Sequence, residues 1–250
     1  MRKTVDLPKN IEKDLRKFLT RQGRKKADFY LIEGERCCAE ALQWCENIRY
    51  GVVEEDRADR HFDFPVYTVP PRVFAELSHT DNSQGIFLVA ERPEFSTVKL
   101  NDPFILVLDR LQEPGNLGTI LRTALSVGLR EIALVKGTVD PFNPKAVRSG
   151  MGAQFRQTFT LFESLREAAS FFSDSGRQVW LTTPHSGVSC YDESFDLKNS
   201  ALVLGEEGGG IEDFSIGEKT TIPMPGNVES LNVAQAATIF LFEGVRRGLL

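Results

Sequence analysis

The chain has 250 residues, 41% of them apolar and 26% charged, with 30 Lys and Arg against 35 Asp and Glu and a net charge of −5. This is the composition of an ordinary globular protein, long enough for one large domain or two modest ones. No apolar run reaches membrane-spanning length, and charge opens the sequence where a signal peptide would have its apolar core, so a cytoplasmic location with no membrane partner is expected.

Residues 10–22 carry Ile11, Leu15, Phe18 and Leu19 on one face and are expected to form a helix. The surrounding segment is basic: Arg2, Lys3, Lys9, Lys13, Arg16, Lys17, Arg21, Arg24, Lys25 and Lys26 stand against only Asp6, Glu12 and Asp14. A solvated amphipathic helix and a phosphate-tracking surface both account for such a run. Phe29–Glu33 then reads as a strand, Glu35–Cys45 as a helix, Ile48–Glu54 and Val66–Val69 as strands, and Pro70-Pro71 opens a brief helix through Leu77. The polar loop 78–85 precedes a strand at Ile86–Ala90. This alternation makes a compact α/β unit over residues 1–92. Residues 93–103, bounded by two prolines and without periodicity, are expected to be a linker.

A second unit is expected over 104–250. Phe104–Leu108 is a near-continuous apolar run, the pattern of a strand buried on both faces of a parallel sheet. From Leu117 a helix can be drawn with Leu117, Ile120, Leu121, Ala124, Leu125 and Gly128 on one stripe, N-capped by Asn116. Arg122 then lies near the helix start, off the packed face, at the sheet edge where open α/β proteins bind ligands. Further elements follow: a strand at Glu131–Val135, a short helix from Pro144 to Gly152 carrying Arg148, and a strand at Phe155–Leu161. A helix at Ser164–Phe172 and strands at Gln178–Thr182 and Ser200–Leu204 complete the alternation. Cys37, Cys38, Cys45 and Cys190 show no C-x-x-C spacing, and His61, His79 and His185 show no ligand spacing. Reduced packing cysteines, surface or satisfied structural histidines and no metal are expected.

The last buried strand runs into Gly205-Glu-Glu-Gly-Gly-Gly-Ile211, whose glycines allow close backbone approach. The spacing is neither G-x-G-x-x-G nor a Walker A loop, which disfavours a generic dinucleotide or triphosphate site. Ile222-Pro-Met-Pro-Gly-Asn-Val-Glu-Ser-Leu-Asn232 follows, a strand end, a Pro-Gly turn and a polar knot, with Ser230 or Asn232 placed to cap a helix from Val233 to Val245. Such a turn presents donors at a helix N-terminus, as a small-ligand site requires.

Together, Pro114-Gly-Asn-Leu-Gly-Thr-Ile-Leu-Arg122, Leu204-Gly-Glu-Glu-Gly-Gly-Gly-Ile211 and Ile222–Val233 resemble the three motifs of the SpoU (TrmH-like) family of RNA ribose 2′-O-methyltransferases. The resemblance covers residues from about Phe104 to the C-terminus. More weakly, Phe29-Tyr-Leu-Ile-Glu-Gly34 and Gln84-Gly85 resemble the family's small L30e-like substrate-binding domain. Pattern alone supports only an α/β fold with a Rossmann-like parallel sheet; the resemblance implies instead a deep trefoil knot, an exception to the rule against threaded chains. It implies a homodimer with the active site at the subunit boundary. The helix from Val233, apolar nearly all round, agrees with that.

The resemblance also implies S-adenosylmethionine as cofactor, held by backbone groups of Leu204, Gly205, Ile222, Met224 and Leu231 with Glu206 and Gly210 on the rim. Asn116, Arg122, Glu207, Ser230 and Asn232 would surround the reacting ribose, with Arg122 catalytic. The implied partner is RNA, ribosomal in preference to transfer RNA, with Arg21, Arg24, Lys25, Lys26 and Arg148 as contacts. The sequence departs from the family at Glu206, where Ser or Asn is usual, and at Ala234-Gln235 in place of a commoner Ser-Val. Two rival readings stand beside this one. A non-catalytic RNA-binding module, such as a ribosome-assembly factor, would show no cofactor binding. A Rossmann-type methyltransferase acting on protein or small molecules would carry its glycine loop after the first strand.

Overall fold

The computed structural model describes residues 5–57, 62–80, 82–206, 209–226 and 228–250. Its contacts group the chain into two units, residues 1–93 with 141–155, and residues 94–140 with 156–250.

In the first unit, β1 (Val5–Asp6), α1 (Lys9–Phe18), α2 (Arg21–Lys26), β2 (Phe29–Glu33), α3 (Glu35–Trp44), β3 (Ile48–Glu54), β4 (Val66–Val69), α4 (Pro71–Leu77) and β5 (Ile86–Glu91) follow in order. The sheet order is β1-β4-β3-β5-β2. β5 runs antiparallel to both β2 and β3, while β3, β4 and β1 are mutually parallel. The expected helix over 10–22 ends at Phe18, and the basic residues Arg21–Lys26 form the separate helix α2. Thr20 accounts for the break, because its hydroxyl accepts from Gly23 N and starts a new helix in extended geometry. Gly23 is needed there, since a Cβ would lie 1.9 Å from the carbonyl oxygen of Lys17.

The second unit contains β6 (Phe104–Asp109), α5 (Pro114–Ser126) and β7 (Glu131–Val135). The chain then makes α6 (Pro144–Gly150), which groups with the first unit and packs on β2. It continues with β8 (Thr158–Phe162), α7 (Leu165–Asp174), β9 (Gln178–Thr183), β10 (Val188–Ser189), β11 (Ser200–Leu204), β12 (Glu218–Thr221) and α8 (Val233–Arg246). The sheet order is β10-β12-β9-β11-β6-β7-β8, and every pairing is parallel. β6, β7 and β11 are buried at every position, as their apolar runs require. Ile105, Val107, Ala133, Val135, Ala201 and Val203 pack with Ala168, Ala169 and Phe172 of α7. By the two-residue period of a strand, Phe104, Leu106 and Leu108 face the other way. On that side Phe104 lies so close to α8 that a Cβ on Gly244 would meet its ring at 3.1 Å.

Two expectations about organisation change. Residues 94–103 form no linker. The buried carboxylate of Glu131 accepts the main-chain N–H groups of Lys99 and Asn101, and the Arg177 guanidinium donates to the carbonyls of Leu100 and Asp102. Buried charges of both signs thus spend their hydrogen bonds on this stretch and fix it to the second unit. Residues 141–155 group with the first unit, where Phe142 packs against Tyr30 with ring centroids 4.8 Å apart and planes tilted by 50°. β10 lies outside the expected elements, while β12 ends at Thr221, beside the strand end expected at Ile222, with the polar composition Glu218-Lys-Thr-Thr221.

Candidate active site

The strand order reverses direction between β6 and β11. The chain builds outward from β6 through β7 and β8, then crosses to the other side, where it lays down β9 and β10 before β11 fills the place between β9 and β6 and β12 the place between β9 and β10. Leu108 and Leu204 are register partners, so the loops leaving the carboxyl ends of these two strands begin side by side. This is the topological switch point at which open α/β sheets hold ligands.

From β6 the chain enters α5. The helix begins at Pro114, not Leu117, and its cap is Glu113, whose carboxylate accepts from Gly115 N at 3.2 Å. Asn116 is therefore inside the first turn instead of capping it. Pro at the first helical position suits this start, because its missing N–H would have been unsatisfied anyway. Leu117, Gly118, Ile120, Leu121 and Ala124 are buried, which matches the expected stripe except at Leu125, which is half-buried, and Gly128, which is exposed and lies beyond the end of the helix. Arg122 is exposed and lies beyond the middle of α5, about 9 Å along the axis from Asn116 at 1.5 Å per residue. That corrects its placement near the helix start. Among the described residues nothing pairs with its guanidinium.

From β11 the chain makes a tight glycine hairpin. Glu206 and Gly210 form an antiparallel bridge, and Gly210 N donates to Glu206 O at 2.9 Å. Gly205 lies at the base, where a Cβ would sit 2.8 Å from the Gly210 carbonyl carbon and 3.0 Å from Ile211 N. Gly210 has φ +64° and faces open space, as does Gly226 in the next loop. Glu207 and Gly208 lie outside the described residues. Beside this hairpin Asp109 is buried at the end of β6, and burial raises its pKa above the ordinary carboxylate range.

The third segment leaves β12 at Thr221. Ile222 is buried, Met224 and Leu231 are half-buried, and Ser230 is exposed; Asn227 lies outside the described residues. None of the described residues from Pro223 to Ser230 has its main chain in a backbone hydrogen bond. Unspent donors and acceptors beside glycines that face open space are what an adenosyl group would need from backbone, so the residues fit the cofactor their motifs imply. Asn232 then caps α8, as expected, with Oδ1 accepting from Ala234 N at 2.9 Å and Gln235 N at 3.4 Å. Its Nδ2 donates to Asn116 Oδ1 at 3.2 Å. That bond joins the first and third segments, and α5 packs against α8 behind it.

The structure thus brings Asn116 and Asn232 into contact and gathers Leu204, Gly205, Glu206 and Gly210 into one hairpin. A hollow of about 240 Å³ at Asp109, Arg110, Ser164 and Glu212 includes none of the residues assigned to the cofactor. In the first unit Arg21, Lys25 and Lys26 are exposed on α2. Arg24 is half-buried, its Nη1 donating to Phe18 O and Leu19 O, and Arg148 is half-buried in α6. Arg2, Lys3 and His61 lie outside the described residues. Sequence reasoning missed two groups at the site's foundation. Glu113 was readable from the acid directly before a Pro-Gly helix start; Asp109 gave no signal, because one carboxylate at a strand end does not announce its burial.

Comparison with known proteins adds to this geometry. A family model described as the SpoU rRNA Methylase family matches residues 103–242, and one described as the MRM3-like substrate binding domain matches residues 9–88. The 23S rRNA (guanosine(2553)-2′-O)-methyltransferase RlmP of Bacillus subtilis is 32% identical over 96% of this chain and 98% of its own. The crystal structure of a TrmH-family RNA methyltransferase from Porphyromonas gingivalis superposes with a TM-score of 0.84 at 31% identity, covering 97% of this chain and 100% of that one. An AdoMet-bound rRNA methyltransferase from Sinorhizobium meliloti superposes with a TM-score of 0.80 at 29% identity, over 99% and 98% of the two chains.

Proposed function

We infer the function from one premise: this chain belongs to the SpoU rRNA Methylase family. It is an S-adenosylmethionine-dependent RNA methyltransferase, and its acceptor is a ribose 2′-hydroxyl of ribosomal RNA. The observation that carries this reading is the meeting of three motif segments at one sheet edge. The loops after β6 and β11 begin side by side, and the Asn232 side chain ties the start of α8 to the start of α5.

The cofactor supplies a methyl group on a sulfonium, already activated for in-line displacement. The protein has chiefly to position the hydroxyl and assist loss of its proton. Main-chain groups of Leu204, Gly205, Ile222, Met224 and Leu231 hold the cofactor, with Glu206 and Gly210 at the rim. Asn232 spends Oδ1 on the helix cap and Nδ2 on Asn116, so this pair positions the site and leaves contact with the ribose to Ser230, Glu207 and Arg122. A guanidinium holds its proton too tightly to serve cheaply as a general base. Arg122, exposed and without an ion pair among the described residues, instead acts together with an RNA phosphate beside the 2′-hydroxyl.

The finer reading of the fold follows the family. The second unit is a trefoil knot whose late loops build the cofactor pocket. The first is an L30e-like substrate-binding domain, which the match over residues 9–88 supports. The protein works as a homodimer in the cytoplasm; Phe242 and Val245, exposed on α8, are apolar surface for a second copy to cover. Labelled methyl transfer from S-adenosylmethionine to ribosomal and to transfer RNA tests this reading. Transfer to ribosomal RNA supports it. Transfer to transfer RNA alone would replace the substrate, and the absence of both transfer and calorimetric cofactor binding would leave a non-catalytic RNA binder.

A further inference from the structure

The sheet of the first unit has two unlike coverings, because β2 sends alternate side chains to opposite faces. Phe29 stacks on Phe18 of α1 with ring centroids 5.0 Å apart. Tyr30 points the other way, packing on Phe142 and placing its hydroxyl 3.4 Å from Cys45 Sγ at the end of α3. So α1 covers one face, and α3 with the segment that carries α6 covers the other. The two coverings differ in charge. Residues 9–26 hold eight Lys and Arg against two carboxylates, whereas residues 35–46 hold three Glu against one Arg. Under α1 the His79 ring stands edge-on to Phe18 with Nε2 closed to solvent and unbonded, which corrects the expectation of a surface or satisfied histidine there.

On α1 the cations are sorted further. With 3.6 residues per turn, Lys9, Lys13, Arg16 and Lys17 fall within about 100° of arc, opposite the buried Leu15 and Phe18. All four are exposed and, with Glu12, line an open groove of about 470 Å³. Arg16 is committed to Glu12 and to Glu76, each at 2.8 Å, and Lys17 to Asp14 at 2.8 Å. Among the described residues nothing pairs with the ammonium groups of Lys9 and Lys13. Where α1 ends, α2 packs on it through Gly23 and carries Arg21, Lys25 and Lys26, all exposed. Arg24 turns back instead, donating from Nη1 to the carbonyls of Phe18 and Leu19.

This face has a definite chemistry. No apolar side chain stands among its cations, as insertion into a lipid surface would require, and no aromatic ring offers a base a stacking platform. Ammonium groups on flexible stems suit phosphate oxygens. Lys9 to Lys17 spans about 12 Å at 1.5 Å per residue, over which a nucleic-acid strand carries several phosphates. We propose that the outer face of α1, continued by α2, tracks the phosphate backbone of the ribosomal RNA substrate, with Lys9 and Lys13 as its uncommitted contacts. Such contacts position the RNA without reading its sequence. The proposal rests on the RNA methyltransferase reading and names the surface of the first unit that meets the substrate. It sets aside Arg148, whose helix α6 lies on the other covering.

The test is binding of the full-length protein to a ribosomal RNA fragment and to an unrelated RNA duplex, by fluorescence anisotropy across a salt series. The double variant Lys9→Gln, Lys13→Gln should weaken binding about tenfold near 0.1 M salt and lower the slope of log affinity against log salt by about two, one for each lost phosphate contact. Both RNAs should lose affinity alike. The double variant Lys9→Arg, Lys13→Arg should keep the wild-type slope, since it keeps the charge. Arg36→Gln, which removes an exposed cation from α3 on the opposite covering, should change neither affinity nor slope. Cofactor affinity by calorimetry should be unaltered in each. An unchanged slope in the glutamine double variant, a loss confined to the ribosomal fragment, or an equal loss in Arg36→Gln overturns the proposal. Loss of binding to anionic vesicles with RNA binding unaltered overturns it in favour of a lipid surface. A wild-type protein that neither binds nor methylates ribosomal RNA removes the methyltransferase reading as well; one that does both, with the glutamine double variant indistinguishable from it, removes this proposal alone.

Discussion

At the carboxyl edge of the parallel sheet, helix starts and loops follow opposite rules. The starts of α5 and α8 are closed by side chains: Glu113 caps one, Asn232 caps the other, and Asn232 also bonds Asn116 across the gap. The loop from Pro223 to Ser230 leaves its described main chain without hydrogen bonds, and Gly210 and Gly226 face open space. Saturated groups hold geometry and unsaturated groups remain for a ligand. Four substitutions would break or sharpen that contrast.

The largest effect belongs to Arg122, which lies on the rigid side and pairs with nothing among the described residues. Arg122→Ala should lower single-turnover methyl transfer by at least about a hundredfold, the range for a positioned catalytic group. Cofactor affinity by calorimetry should stay near wild type. Loss of cofactor binding would make Arg122 part of the pocket and not of the chemistry.

Gly205→Ala should come next. Its Cβ would press on the backbone of Gly210 and Ile211 at 2.8–3.0 Å, where no flexible side chain can yield. The hairpin must open, so cofactor affinity should fall by about tenfold or more, equivalent to roughly 1.4 kcal/mol. Unchanged affinity would show that the hairpin does not shape the pocket.

The far end of α8 offers a contrast in stability. Glu243 is buried and accepts from Arg246 and Arg247, and Arg247 reaches on to the carbonyls of Cys190, Asp192 and Phe195. Hydrogen bonds from Arg246 first, and also from Arg247, hold the Glu243 carboxyl below its ordinary 4.5. A depressed carboxylate stabilises the fold fully above that ordinary value, and the contribution is lost as pH falls through the lower folded value. Glu243→Gln should cost about 2 kcal/mol at pH 7 and flatten the acid limb of a Tm-versus-pH profile measured by calorimetry. An unchanged acid limb would dissociate Glu243 from acid unfolding.

The smallest effect belongs to Asn232→Ala. Losing the cap should cost about 1 kcal/mol, lowering Tm by roughly 2–4 °C. If the pair only positions, KM for RNA and cofactor affinity should change little while kcat falls, because α5 and α8 lose their link. A rise in KM alone would return Asn232 to the substrate surface.

Much of this was legible in the sequence because the informative segments are punctuated. Apolar runs such as Phe104–Leu108 and Ser200–Leu204 can only be strands covered on both faces, and the Gly and Pro residues at 205–210 and 223–226 mark loops whose order carried the family resemblance. What stayed hidden depends on partners far apart in the chain. Thr20 split one expected helix into two because its hydroxyl found Gly23. The stretch 94–103 reads as a linker until Glu131 and Arg177, buried elsewhere, claim its main chain. Residues 141–155 carry no sign that Phe142 will pack on Tyr30. The site shows the same division: the Asn232 cap follows from local pattern, whereas the Asn232–Asn116 bond spans more than a hundred residues and nothing local encodes it.

The central claim is that these converging segments deliver a methyl group to a ribose oxygen. A 2′-O-methyl group blocks alkaline cleavage of the adjoining phosphodiester, so the direct measurement is alkaline hydrolysis of ribosomal RNA after incubation with protein and methyl-labelled cofactor, followed by mass spectrometry. The account expects the label in a single alkali-resistant dinucleotide, absent with Arg122→Ala. Label in mononucleotides carrying a methylated base would contradict it.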